Sequence, residues 1–143
     1  MKKILITGCS GYIGSHLCKA LDKEYDVWGL DRIEPQFPIK PGQFIEHDIN
    51  HPFGDFPEEF DAVIHLAARV RVNESQQIPI QYYITNLNGT MNVLAKIKTK
   101  NFIFSSTGVA EYCYDPYGTS KKAAEDCVIE YCMQHSVQPF TIF

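Results

Sequence analysis

The strongest constraint on the fold is a glycine pattern near the N-terminus. Gly8 and Gly11 follow an apolar run at 3–7, and Gly14 lies in the first turn of an amphipathic stretch at 12–23. In such a strand–turn–helix setting, the first glycine permits a tight turn, the second lets backbone approach a pyrophosphate, and the third lets the helix pack on the strand. The phosphates would lie at a helix N-terminus, where backbone amides are free. The pattern predicts a dinucleotide-binding loop; a glycine-rich turn without a ligand is the alternative.

The rest of the chain alternates short apolar runs with helical patterns. The pattern predicts strands at 3–7, 26–30, 44–47, 61–68, 101–106 and 138–143, and helices at 12–23, 79–99 and 117–134. Three prolines between positions 33 and 42 make a full helix there improbable. Strands that alternate with helices indicate βαβ units. We therefore predict an α/β, Rossmann-type, doubly wound parallel sheet with helices on both faces, strand order 3-2-1-4-5-6, and a sixth strand left incomplete at Phe143.

Length and charge exclude several classes of protein. The 143 residues are enough for a single domain, which we expect to span 1–143. A net charge of -4 argues against a nucleic-acid-binding surface, and no apolar run approaches the roughly 20 residues of a membrane helix. Gly8 interrupts the apolar start too early for a signal peptide. The five cysteines match no metal-ligand spacing, so we expect reduced thiols, no metal and a cytoplasmic location.

An acidic residue at the end of the second strand bears on the choice of cofactor. Asp31 follows the glycine loop by about twenty residues, where a carboxylate accepts the ribose hydroxyls of adenosine and repels a 2′-phosphate. This favours NAD over NADP, although the neighbouring Arg32 could accommodate that phosphate. Asp48 and Ile49, after the third strand, are placed to bracket an adenine; ordinary loop residues are the alternative. Cys9, inside the loop, is expected to be a tolerated small residue rather than a reactive thiol.

A Tyr-x-x-x-Lys motif opens the last helix. Tyr117 and Lys121 are four residues apart and therefore share a helix face. A nearby ammonium favours the phenolate, which makes tyrosine a workable base. A chance occurrence is the alternative, and only the position after strand five makes the motif informative. Ser105 and Thr107 end that strand, where ligands bind in this architecture and a hydroxyl could orient a substrate hydroxyl; a turn or capping cluster is the alternative.

Four motifs in register resemble a known family. They are residues 7–16 (TGCSGYIGSH), residues 63–68 (VIHLAA), Tyr83-x-x-Asn86-x-Asn88-Gly89-Thr90, and residues 116–121 (PYGTSK). In this order they resemble the extended short-chain dehydrogenase/reductases, over essentially the whole chain. The chain is most similar to the NAD-dependent nucleotide-sugar epimerase/dehydratase branch, in particular the UDP-glucose 4-epimerases.

The resemblance implies a hydride shuttle with bound NAD. Tyr117 would remove the proton from the sugar 4-hydroxyl while C4 passes hydride to nicotinamide, and the keto-sugar would turn over and take the hydride back on its other face. Lys121 would bind the nicotinamide ribose and tune Tyr117, and Thr107 would be the family's catalytic Ser/Thr. Dehydratases of this branch carry an Asp-Glu pair where this chain has Gly108 and Val109, so dehydration is disfavoured.

The resemblance also assigns cofactor contacts. Tyr12 and Ile13 would donate backbone amides to the pyrophosphate, and Asn86 would support the nicotinamide end. The expected cofactor-binding set is Gly8, Gly11, Tyr12, Ile13, Gly14, Asp31, Arg32, Asp48, Ile49, Leu66, Ala67, Ala68, Arg69, Asn86, Ser105, Tyr117 and Lys121.

The chain departs from the family pattern in three ways. The segment between Thr107 and Tyr117 is short, and the connections around 35–41 and 52–57 are trimmed. We also expect the family's C-terminal substrate region to be absent after Phe143. The first hypothesis is therefore a nucleotide-sugar epimerase or its cofactor half. The second is a shortened NAD-binding module without turnover, and the third is a reductase with a smaller substrate. A nucleotide-sugar is the expected substrate, and a homodimer through helices 79–99 and 117–134 is the expected assembly.

Overall fold

A computed structural model describes residues 1–54, 58–112 and 114–142. Its strands are β1 (Lys3–Thr7), β2 (Asp26–Asp31), β3 (Phe44–Glu46), β4 (Glu59–Phe60), β5 (Ala62–His65), β6 (Lys98–Thr99), β7 (Asn101–Ser105) and β8 (Gln138–Ile142). Six of these form one parallel sheet in the order β3-β2-β1-β5-β7-β8. Because β4 and β6 are short strands outside this sheet, β5, β7 and β8 are the predicted fourth, fifth and sixth strands. The predicted order 3-2-1-4-5-6 is therefore confirmed. In that sheet, β8 pairs with all five residues of β7.

The helices bear out two of the three predicted helical segments. They are α1 (Tyr12–Leu21), α2 (Val72–Gln77), α3 (Pro79–Tyr82), α4 (Gly89–Lys96) and α5 (Pro116–Gln134), with a π-helical segment at Tyr83–Asn88 and a 3₁₀ turn at Gly108–Glu111. The predicted helices 12–23 and 117–134 correspond to α1 and α5.

The predicted continuous helix at 79–99 is wrong in two respects. Its middle is π-helical over Tyr83–Asn88, and it ends at Lys96 because Ile97 adopts an extended backbone. The following pair, Lys98–Thr99, is β6, which pairs with β4 in a separate two-stranded ladder. Phe60 in β4 is fully buried, so this small ladder closes one end of the core.

Two hydrophobic cores lie on opposite faces of the sheet, because side chains alternate along each strand. Leu5, Val63 and Phe104 point to the face covered by α4 and α5, where the larger core lies. Ile4 and Ile6 point to the other face, which α1 covers through Cys18 and neighbouring side chains. The predicted coverage by helices on both faces is therefore present.

The connection between β2 and β3 contains no helix, as its prolines predict. Instead, Phe37 and Ile39 pack on the smaller core and cover part of the sheet face. No helix within the described ranges is long and apolar enough to cross a membrane. The four described cysteines are free thiols, and Cys113 lies outside the described residues.

Parallel strands bring their carboxyl ends to one edge of the sheet. The glycine loop follows β1, Asp31 ends β2, Asp48 follows β3, and 66–69 follow β5. Thr107 follows β7 at the same edge. Residues scattered over a hundred positions of sequence thus meet at one rim.

Candidate functional site

A cavity of about 300 Å³ opens at this rim beside the glycine loop. Ten of the predicted cofactor residues line it: Gly8, Gly11, Asp31, Arg32, Asp48, Ile49, Leu66, Ala67, Ala68 and Arg69. Six further lining residues were not predicted: Ser10, Leu30, Ile33, His47, Asn50 and Thr85. In the sequence, only their proximity to predicted residues could have indicated them, since each of the six is adjacent to a predicted one.

The glycine loop is built in a way that only glycine allows. Gly8 has a φ of 73°, and a Cβ there would lie 2.8 Å from the backbone nitrogen of Ala67. A Cβ on Gly14 would lie 2.1 Å from the carbonyl oxygen of Gly8, so the start of α1 presses directly on the turn. Gly11 precedes α1, and a Cβ added there would lie 3.3 Å from that same oxygen. The first and third glycines therefore set the geometry of the loop. The second leaves the exposed backbone of the loop without a side chain over it.

The first turn of α1 faces outward at the end of this loop. The side chains of Tyr12 and Ile13 are exposed, and Gly14 is buried. Backbone N–H groups in the first turn of a helix have no intrahelical partner. The first turn of α1 therefore offers donors of the kind that bind phosphate.

Asp31 is held at the cavity wall by two backbone donors. Its Oδ2 accepts a hydrogen bond from Ser10 N at 3.0 Å, and its Oδ1 accepts one from Arg32 N at 2.8 Å. The Ser10 hydroxyl donates to the carbonyl of Ile33, which ties the loop after β2 to the glycine loop. The carboxylate is thereby fixed in orientation, and each oxygen retains lone-pair capacity for a further donor.

The turn after β3 also lines the cavity. Asp48 Oδ1 accepts a hydrogen bond from Asn50 N at 2.9 Å, which fixes the turn. Ile49 is 5% exposed and its side chain packs against Gly89 of α4, so only a small part of it faces the cavity. The predicted pair thus lies at the cavity, with Ile49 mainly serving the core.

The segment after β5 is held by buried side chains from behind. The backbone nitrogens of Leu66 and Ala67 both donate to Thr7 Oγ1 at 3.2 Å. Asn86 Oδ1 accepts from Arg69 N at 2.8 Å, and Asn86 Nδ2 donates to Arg69 O at 3.0 Å. Asn86, 1% exposed, comes from the π-helical segment. The cavity wall after β5 therefore has a fixed backbone.

The Tyr-x-x-x-Lys motif lies outside this cavity, at the start of α5. The side chain of Asp115 caps the helix by accepting from Gly118 N at 2.8 Å. Tyr117 is half-buried, and its ring meets the ring of Tyr82 edge-on at 6.4 Å. Lys121 is 4% exposed, with Nζ 4.3 Å from the centre of the Phe104 ring.

Burial changes the proton affinity of the lysine. It lowers the pKa of Lys121 to about 8, against a smaller opposite effect of the Glu125 carboxylate. Because this pKa is lowered, Lys121 can change its charge state close to physiological pH. When it is charged, the ammonium over the Phe104 ring is attracted by the ring quadrupole.

The three hydroxyl residues at the end of β7 have different surroundings. Ser105 is half-buried and paired with Ile142 in the sheet, and Thr107 is half-buried at the start of the 3₁₀ turn. The neighbouring Ser106 instead donates to the Glu125 carboxylate. None of the three lines the cavity beside the glycine loop. The predicted residues therefore fall into three groups: the cavity set, a set at β7 and α5, and a set in α1 and the π-helical segment that does not line the cavity, namely Tyr12, Ile13, Gly14 and Asn86.

Two polar atoms at the cavity indicate what kind of group fits there. Asn50 Oδ1 and Thr85 Oγ1 are buried and have no hydrogen-bond partner among the described residues. Buried polar atoms are almost always paired in native proteins. With free helix-terminal amides on one side and the Asp31 carboxylate on another, the residues present fit a polar ligand that carries both phosphates and ribose hydroxyls.

Comparison with known proteins points in the same direction. A family model described as the NAD dependent epimerase/dehydratase family matches residues 4–143. A UDP-glucose 4-epimerase of Klebsiella pneumoniae is 37% identical over 123 residues, covering 73% of this chain and 88% of that sequence. A UDP-arabinose 4-epimerase of Arabidopsis thaliana is 33% identical over 165 residues, covering 90% of this chain and 39% of that protein.

A solved structure agrees over nearly the whole chain. The UDP-Glc/GlcNAc 4-epimerase of Campylobacter jejuni superimposes with a TM-score of 0.83 and 29% identity, covering 99% of this chain and 52% of that one. The chain thus spans about half of that structure and less than half of the Arabidopsis protein.

Proposed function

The chain belongs to the NAD dependent epimerase/dehydratase family, and from that premise we propose that it binds NAD in the rim cavity and carries out hydride transfer at C4 of a UDP-sugar. The observation that carries the proposal is the cavity itself, which gathers the glycine loop and Asp31 around one space. In this proposal the pyrophosphate lies on the first turn of α1 and the adenosine ribose on Asp31. The Asp31 carboxylate would repel a 2′-phosphate, which favours NAD over NADP.

The nicotinamide end would extend along the rim towards α5. Bound NAD would supply a hydride acceptor for C4 and would return the hydride to the opposite face of the sugar ring. Tyr117 takes the proton of the 4-hydroxyl as C4 becomes a ketone, and gives it back when the hydroxyl re-forms. Thr107 orients that hydroxyl. Ser105, at the end of β7, is a further proposed contact at this end of the cofactor.

Lys121 supports the base from the same helix face. In this proposal its ammonium assists Tyr117 and donates to the nicotinamide ribose. Asn86 holds both Arg69 and the Ser120 hydroxyl, so it fixes the wall after β5 relative to α5. These residues bind and orient, and only Tyr117 moves a proton.

Epimerisation is favoured over dehydration by the two residues after Thr107. Gly108 and Val109 stand there, and neither side chain can act as an acid or base. Removal of water from a sugar needs a group that protonates the leaving hydroxyl. The UDP-glucose and UDP-arabinose specificities of the named relatives make a UDP-sugar with a 4-hydroxyl the substrate class to test.

The rival proposal is an NAD-binding module that turns over no sugar. It is supported by the fraction of the relatives' length that the chain spans, because hydride transfer requires a substrate held in contact with the nicotinamide. Both proposals require NAD binding. They differ in whether a UDP-sugar reduces the bound cofactor.

The experiment measures NAD binding by calorimetry and then NAD reduction by UDP-glucose and UDP-arabinose from nicotinamide absorbance. The proposed epimerase reduces NAD in wild type and loses about a hundredfold or more of that rate in Tyr117→Phe. Tyr131→Phe, on the same helix but at its far end, is the matched control and should behave as wild type. NAD binding without reduction supports the rival, and no binding at millimolar NAD rejects both.

The assembly is a separate proposal. The elements at 79–96 and α5 carry exposed apolar side chains, namely Ile80, Met91, Ile129 and Met133. We propose that they form a homodimer interface, as apolar patches on helices commonly do. Sedimentation should give a dimer, and Met133→Glu should shift it to monomer; a wild-type monomer at high concentration rejects the proposal.

A further inference from the structure

A buried histidine joins the two parts of the site by hydrogen bonds. His65 ends β5, is 1% exposed, and lies beside Thr7 of β1 in the ladder. Its Nδ1 is 2.7 Å from Thr7 Oγ1, and its Nε2 is 2.9 Å from Thr90 Oγ1 in α4. Both ring nitrogens are therefore engaged by hydroxyl groups, one from the neighbouring strand β1 and one from helix α4.

The directions of these bonds fix the tautomer. The Thr90 hydroxyl donates its hydrogen to Asn86 O at 2.7 Å, so its oxygen can only accept from the imidazole. Nε2 must then carry the hydrogen, and in a neutral ring Nδ1 must accept. Thr7 donates to Nδ1, while its oxygen accepts from the amides of Leu66 and Ala67.

The surroundings keep the ring uncharged. Burial, and to a smaller extent the Lys121 ammonium of α5, lower the pKa of His65 to about 3. The rings of Phe102 and Phe104 in β7 flank the imidazole at 5.7 and 6.0 Å, and they offer no counter-charge. A charged imidazole would also need an acceptor in place of the donating Thr7 hydroxyl.

The chain of bonds continues from Thr90 to the helix that carries Tyr117. Asn86, whose carbonyl accepts from Thr90, donates through Nδ2 to Ser120 Oγ at 3.0 Å. The Ser120 hydroxyl donates to the carbonyl oxygen of Tyr117 at 2.8 Å. One run of hydrogen bonds thus leads from the amides at the cavity wall to the first turn of α5.

We propose that His65 is a positioning residue: a neutral imidazole protonated on Nε2 that couples the cavity wall after β5, through Thr7, to Asn86 and the Tyr117 end of α5, through Thr90. Its catalytic meaning rests on the function proposed above, because it would hold the cofactor wall and the base in one fixed geometry. The coupling itself is a property of the fold and can be measured without cofactor.

The first test needs wild-type protein labelled with ¹⁵N in histidine. Long-range ¹⁵N–¹H spectra distinguish the two neutral tautomers and the cation. The His65 resonances, assigned by their loss in His65→Gln, should show hydrogen on Nε2 and no change between about pH 5 and pH 8. A ring with its hydrogen on Nδ1, or one that becomes charged in this range, overturns the proposal.

The second test uses a matched pair at the far side of the ring. Thr90→Val keeps the shape of the side chain and removes the hydroxyl, and Thr90→Ser keeps the hydroxyl. Amide hydrogen exchange is followed at Leu66 and Ala67, which are bonded to Thr7 and not to Thr90. Rates are taken relative to amides of the β1–β2 ladder, so that a change in global stability cancels.

Coupling through the imidazole predicts that Thr90→Val speeds exchange at Ala67 by about tenfold or more. The effect at Leu66 should be smaller, because its amide also donates to the Thr7 carbonyl at 3.2 Å. Thr90→Ser should restore wild-type rates at both. If the valine and serine variants exchange alike at these amides, or if only amides around Asn86 respond, His65 is a local packing residue and the proposal is wrong. If wild type fails to bind NAD, the proposed function falls, and the tautomer and exchange results still decide the role of His65.

Discussion

Gly14→Ala offers the sharpest test of how the glycine loop is built. The added Cβ would lie 2.1 Å from the carbonyl oxygen of Gly8 and 2.8 Å from Cys9 Cα. Both neighbours are backbone atoms and cannot rotate away as a side chain could. The start of α1 would have to move from the turn by about 1.3 Å to reach ordinary contact.

The expected cost follows from that displacement. Overpacking a rigid site costs about 1–3 kcal/mol, and backbone-to-backbone overlap places this variant at the upper end. Alanine's better helix propensity returns at most about 1 kcal/mol. We expect the free energy of unfolding to fall by about 2–3 kcal/mol, which lowers Tm by roughly 10 °C at this chain length.

Gly11→Ala is the matched control, because its Cβ would meet the same oxygen at 3.3 Å. Its φ of -74° suits alanine, so stability in urea should stay within about 1 kcal/mol of wild type. NAD affinity should nevertheless fall by about tenfold or more, because the methyl group covers the surface meant for the pyrophosphate. Equal stability of the two variants would refute the steric reasoning for Gly14, and unchanged NAD affinity in Gly11→Ala would refute the placement of the phosphates.

Three further predictions concern charge and reactivity. Asp31→Asn keeps an oxygen for the glycine loop but removes the negative charge, so the ratio of NADP to NAD affinity in titrations should rise by about tenfold or more; an unchanged ratio contradicts the role of Asp31. Burial lowers the pKa of Lys121 from 10.5 to about 8, so the folded state disfavours its charge. Lys121→Met should therefore gain up to about 3 kcal/mol of stability near pH 7, a gain that shrinks as pH rises from about 8 to 10.5, and a pH-independent difference in urea unfolding contradicts this. Burial raises the pKa of Cys9 to about 12, so mass spectrometry after iodoacetamide treatment of native protein should find the half-buried Cys127 modified and Cys9 intact.

The sheet could be predicted because its signals are local and strong. Apolar runs such as 3–7 and 101–105 are bounded by turn residues, and their alternation with helical patterns leaves few topologies. The same holds for the cavity residues other than Thr85, since they lie at or just after a strand end and strand ends meet at one rim. Gly8 and Asp31 were identifiable for that reason.

The features that could not be predicted from the sequence depend on contacts distant in the chain. The two-residue strands β4 and β6 are too short to show a period of two, and they exist because each pairs with the other. The π-helical segment at Tyr83–Asn88 has the same apolar spacing as an α-helix, so the predicted helix ran through it. Helix α4 ends at Lys96 because the next residues lead into β6, which pairs with β4.

His65 shows the same limit within the site. In the sequence it is one polar residue in an apolar strand, which indicates neither a ligand nor a role. Its importance comes from Thr7, 58 residues away, and Thr90, 25 residues away. Both threonines belong to the motifs that carried the family resemblance, and a polar residue in a central strand requires buried partners of this kind. That requirement is the signal by which it could have been found.

The most direct test of the account is a titration of the ¹⁵N-labelled chain with NAD, followed by amide spectra. We predict that the amide resonances of the glycine loop, of Asp31 and of residues 66–69 shift together with a single dissociation constant. The reason is that one ligand would contact all three of these segments of the cavity. Absence of shifts at millimolar NAD, or shifts confined to residues outside that cavity, would contradict the central claim.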